Sequence, residues 1–152
     1  MTGVQTCALP ILEIDPEYPL AHWALGLTYE QKGLYEDAIN ELQKPVMPGG
    51  WMIAGLGHAY AIAGQRENAL KILEDLIALS KQTYVSAYDV ATMHAALNQR
   101  DSCLKWLAKA YDEHSVWLPF MGVDPKLKNL HSDPNFGLLL ERIGLHLHTK
   151  PA

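Results

Sequence analysis

Small and large apolar residues return along this chain in matching sets. Leu25, Gly26, Tyr29, Ala38 and Leu42 form the first; Gly57, Tyr60, Ala69, Leu73 and Leu76 the second; Ala91, His94, Cys103, Leu107 and Ala110 the third, with the last two 34 positions apart. Such spacings suit two antiparallel helices that pack closely and then stack on the next pair. The polar punctuation repeats as well. Counted from Pro19, Gly50 and Tyr84, the fifteenth residues are Gly33, Gly64 and Asn98, the types that take the left-handed conformation closing a helix. Three residues later come Glu36, Glu67 and Asp101, acids in a first turn, where the helix dipole favours them. The pattern predicts helices over 18–32, 35–44, 51–63, 66–80, 84–97 and 100–113.

The first unit is shorter than the others. Gly26 to Gly57 is 31 residues, and Pro45 stands where the later units have Leu76 and Ala110. A proline there lacks an amide and clashes with the preceding turn, so the second helix is expected to stop near Lys44, about one turn short. Val46 to Gly50 then form the connection. After Tyr111 the repeat ends. Ser115 to Met121 is apolar but carries Pro119, which reads as a packed connector. Asp124-Pro125 and Asp133-Pro134 each place a capping carboxylate before a first-turn proline. Phe136, Leu139, Leu140 and Ile143 then form one helical stripe, expected to pack on the helix of Trp106 and Ala110, with Gly144 ending it.

A 34-residue period with L-G-x-x-Y, then Ala and a large apolar residue, resembles the tetratricopeptide repeat. The resemblance runs from about Leu12 to Leu145. It implies an all-α solenoid of helical hairpins, wound as a right-handed superhelix with a short C-terminal helical cap. The units are a remnant at 12–18, repeats at about 19–49, 50–83 and 84–114, a connector and cap at 115–145, and a flexible tail at 146–152. In such arrays the first helix of each pair lines a concave groove. Carried over residue by residue, the candidate protein- or peptide-binding residues are Trp23, Leu27, Glu30, Trp51, His58, Ile62, Tyr88 and Thr92. The set is apolar and aromatic. Repeat proteins that grip a C-terminal carboxylate use Lys and Asn at two groove positions, held here by Trp23 and Leu27, Ala54 and His58, and Tyr88 and Thr92. That mode is not expected. Two readings of the aromatic set stay open: a groove for an apolar peptide or helix, or an internal surface filled by neighbouring repeats and the cap.

The ending, from V-S-A-Y-D-V-A through W-L-P-F-M-G-V-D-P-K-L-K-N-L to D-P-N-F-G-L-L-L-E-R-I-G-L, resembles repeat arrays at the C-terminus of bacterial signalling proteins. There they follow a winged-helix DNA-binding domain, a Ser/Thr kinase or a nucleotide cyclase. The resemblance implies a non-catalytic interaction module whose partner is a protein or peptide, including domains of its own parent protein. The alternative is the ligand-sensing half of a transcription regulator. Residues 1–11, MTGVQTCALPI, resemble a sequencing adapter translated in frame. They are set aside as non-native, and the natural sequence is expected to begin near Leu12 within a preceding repeat. Pro10 is expected to interrupt any helix built there. The first hairpin's upstream face would then be bare and apolar, and a second copy would associate through it.

Composition narrows the function class. The chain has 152 residues and a net charge of −5, with basic residues scattered, which argues against a nucleic-acid surface. No segment reads as a transmembrane helix or secretory signal. Outside residues 1–11 the one cysteine is Cys103, so no internal disulfide points to an oxidising compartment, and a cytoplasmic location is expected. Of seven histidines, His146 and His148 lack a third ligand nearby, His94 stands where the repeat has Tyr, and His58 faces the groove. Cys103 holds a small-residue position, which suits a buried thiol better than a nucleophile. No G-x-S-x-G, H-E-x-x-H or glycine-rich phosphate loop occurs. No catalytic residue, metal or cofactor is expected.

Overall fold

The computed structural model describes residues 3–44 and 49–145, with side chains from Cys7 onward. The Pro45–Pro48 connection, the tail 146–152 and its two histidines lie outside the described residues. Every described element is helical. The chain divides into two compact units, Met1–Tyr84 and Val85–Ala152.

The first unit holds α1 (Gly3–Ile14), α2 (Pro19–Gln31), α3 (Tyr35–Leu42), α4 (Gly50–Ile62) and α5 (Arg66–Leu79). Two hairpins are made by α2 with α3 and by α4 with α5. The second unit opens on a third hairpin, α6 (Ala87–Ala96) and α7 (Arg100–Asp112). A 3-10 turn at Leu118–Phe120, a longer one at Pro125–Leu130, and α8 (Pro134–Arg142) follow.

The three hairpins close in the same way. Gly33, Gly64 and Asn98 have φ of 73°, 79° and 58°, the left-handed residues expected from the punctuation. The next amide in each, from Leu34, Gln65 and Gln99, donates back to the carbonyl of Tyr29, Tyr60 and His94 at 2.9 Å. The carbonyls of Leu34, Gln65 and Gln99 then accept from Ala38, Ala69 and Cys103 at 3.0, 3.1 and 3.0 Å. One turn geometry has thus been made three times. Inside the first hairpin the helices approach closely at Gly26: a β-carbon added there would sit 2.5 Å from Leu42 Cγ. The α3 helix ends at Leu42 after 8 residues, against 14 in α5 and 13 in α7.

Two expectations about the start of the chain are overturned. Pro10 lies inside α1 without interrupting it, although it forfeits a hydrogen bond at a cost of about 3 kcal/mol. Tertiary packing offsets that cost. Ala8 is buried with Ala21 and Leu25, and Leu12 and Tyr29 pack against them. For the same reason the first hairpin's upstream face is not bare, because Ala21 and Leu25 are 3% and 2% exposed.

In the second unit, Asp124 and Asp133 cap as their position before proline predicts, accepting from Lys126 N at 2.9 Å and Asn135 N at 2.8 Å. The first of these starts a 3-10 helix and the second an α-helix. Phe136, Leu139 and Leu140 share a core with Leu107 and Ala110, and Trp106 and Ile143 pack against it.

Candidate functional site

Six of the eight candidate binding residues lie on α2 and α4 of the first unit. Trp23, Leu27 and Glu30 recur at helical spacing on α2; Trp51, His58 and Ile62 do so on α4. The two helices are joined by two rungs. In the first, the indoles of Trp23 and Trp51 meet edge to face, 5.1 Å between centroids and 87° between planes, an arrangement favoured by the ring quadrupoles. Gly55 lies beneath this rung, where a β-carbon would make an ordinary contact 3.5 Å from Trp23 Nε1. Trp23 also packs against the buried cluster of Ile39, Leu42 and Ala59. Both indoles, Leu27 and Ile62 remain half-buried.

The second rung is polar. His58 Nδ1 lies 3.2 Å from Glu30 Oε1, with the two side chains 6% and 1% exposed. The other carboxylate oxygen of Glu30 is buried without a hydrogen-bond partner. A buried pair of this kind resists removal of either member, since the survivor is left uncompensated. The pairing joins residues 28 apart. The sequence placed both on the groove but carried no signal that they touch.

The remaining two candidates, Tyr88 and Thr92 on α6, are differently placed. Tyr88 is 3% exposed, as the second of the two open readings, an internal surface filled by the cap, requires of this helix. Its hydroxyl donates to Asp124 Oδ2 at 2.8 Å, and its ring joins the core of Leu127, Leu130 and Phe136. Asn129 Nδ2 donates to Ala95 O at 3.0 Å and ties the same segment to α6. The chain after α7 has folded back over this helix. Thr92 is 4% exposed, its hydroxyl donating to Asp89 O at 2.8 Å. Asp124, which the sequence offered only as a cap, serves both the cap and Tyr88.

Burial dominates the titration of the groups around α6. The Tyr88 hydroxyl is held far above its ordinary range by burial and by Asp124. Burial pushes Asp89 up to about 6, with Asp124 adding to it and Lys126 and Ser86 opposing. The Cys103 thiol is pushed up to about 12 by burial, and so little thiolate forms at neutral pH that it is a poor nucleophile. Burial lowers His94 below the usual imidazole value against the opposing bond to Gln99. Its ring stacks on Trp106 at 6.5 Å and its Nδ1 lies 2.6 Å from Gln99 Oε1, as befits a packed side chain. Among the described residues, no group of three His, Cys, Asp or Glu is placed to hold a metal. No helix there is long and apolar enough to cross a membrane.

The class defined by these observations is an all-helical protein built from antiparallel helix pairs. No family model, curated protein or solved structure matches the chain.

Proposed function

We propose that this chain is a non-catalytic binding module of the tetratricopeptide type, taking a protein or peptide partner on the faces of α2 and α4. The observation that carries the reading is the Trp23–Trp51 pair. Two large aromatic side chains stand half-buried on neighbouring first helices, with Trp23 braced by the cluster beneath. Aromatic groups held this way lose little entropy when a partner docks, and Trp is among the residues that most often dominate binding energy. The repeated turn geometry supports the family reading, because three hairpins with one closure are what a helical repeat requires. Glu30, His58, Tyr88 and Thr92 leave the proposed surface, since all four are buried.

Panning a random peptide library on the full chain tests the idea. Selected peptides should bind a Trp23→Ala/Trp51→Ala variant at least tenfold more weakly, about 1.4 kcal/mol, while its helical circular dichroism is unchanged. Peptides that bind both proteins equally would move the site elsewhere.

A further inference from the structure

A second site lies in the other unit, where α7 and α8 end side by side. The two ends are built alike. His114 (φ 54°) and Gly144 (φ 75°) reverse the chain, and the amides of Ser115 and Leu145 return to Ala110 O and Leu140 O at 2.9 Å each. Between them opens a cavity of about 560 Å³, within the range of small-ligand pockets. Leu118, Pro119, Ile143 and Leu145 give it apolar walls, and Tyr111 and Asp112 contribute from the last turn of α7.

The electrostatics of this cavity favour one sign of ligand. Two helix C-termini present the negative ends of their dipoles, and the Asp112 carboxylate adds a full charge. Among the described residues Asp112 forms no ion pair, whereas its neighbour Glu113 is engaged by Lys109 at 3.6 Å. Tyr111 already holds a cation supplied by the protein, the Arg142 guanidinium 4.5 Å from its ring centroid. His114 is the one basic group on the lining itself.

We infer that this cavity is a binding site for a small organic cation, an ammonium or guanidinium carried on an apolar body, with Asp112 receiving the charge. The apolar body occupies the space between Leu118 and Ile143, and the cationic head turns to the two helix ends. This site is independent of the tryptophan face, and either can fail alone.

The test is a titration of the full chain with phenethylammonium, followed by methyl NMR of Leu118, Ile143 and Leu145. Those methyls should shift together and saturate. Phenethyl alcohol, a neutral mimic, should bind roughly two- to fivefold more weakly, the worth of an ion at helix termini. The exposed Asp112→Asn variant should lose part of that factor for the amine and nothing for the alcohol. A capped dipeptide, acetyl-Phe-Lys-amide, separates the sources: binding equal to the free amine assigns the site to a partner's basic side chain, and weaker binding assigns it to a free amine. Equal affinity for amine and alcohol, or no movement of the three methyls at any concentration, overturns the proposal.

Discussion

The first helices of the hairpins carry the same spacing of residues in the sequence and meet different fates. On α2 and α4 the aromatic positions stay half-exposed and touch each other. On α6 the equivalent position, Tyr88, disappears beneath the chain that follows α7 and spends its hydroxyl on Asp124. A shared position in the sequence pattern therefore does not carry a fixed role. What the chain does next decides whether an aromatic residue is a contact surface or a core residue.

The largest break in that comparison should come from Phe136→Ala. Phe136 is fully buried in the core that holds the covering segment down, and such truncations cost about 3–5 kcal/mol. Denaturant unfolding should register that loss, and hydrogen exchange of α6 amides should quicken as Tyr88 is uncovered. Unchanged exchange on α6 would mean that the segment is held by something other than this core.

A smaller effect, in the other unit, is expected of Gly26→Ala. The new methyl would meet Leu42 Cγ at 2.5 Å, an overpacking worth about 1–3 kcal/mol. Gly55→Ala is the contrast: its nearest neighbours are at 3.5 and 3.7 Å, so helix propensity should prevail and stabilise by about 0.5–1 kcal/mol. Thermal melts of the two variants should move in opposite directions.

Asp89 sharpens the comparison from the electrostatic side. Its folded pKa is raised by burial to about 6, so the folded state binds its proton more tightly than the unfolded state. The sign follows from linkage: stability is highest with Asp89 protonated and falls as pH rises from about 4 through 6. Asp89→Asn should stabilise at neutral pH by roughly 1–2 kcal/mol and flatten that part of the pH profile. A variant with the wild-type slope between pH 4 and 6 would place the titration elsewhere.

A further small change is expected of Tyr88→Phe. Losing the 2.8 Å bond to Asp124 should cost on the order of 1 kcal/mol. A loss comparable to that of Phe136→Ala would show that this hydroxyl, and not the apolar core, holds the covering segment.

Where the sequence was a reliable guide, the rule involved was local. Gly33, Gly64 and Asn98 close their helices because a left-handed residue is needed at that point whatever surrounds it. Asp124 and Asp133 cap because their carboxylates reach amides two residues on. The readings failed where distant packing decided. Pro10 stays helical because Ala8 and Leu12 gain a partner in α2. Tyr88 is buried by residues 36 or more positions away, and the Glu30–His58 rung spans 28. Nothing in the spacing of one helix announces which side chain on another will meet it.

The burial of Cys103 has a practical consequence. Its side chain is inaccessible and its thiol is held protonated, whereas Cys7 is exposed. The chain therefore carries a fast thiol in one unit and a silent one in the other. An alkylating reagent should consume Cys7 at once and then wait for the α6–α7 hairpin to open. The rate of the second label becomes a clock for the opening of that unit, read by mass spectrometry with no engineered probe.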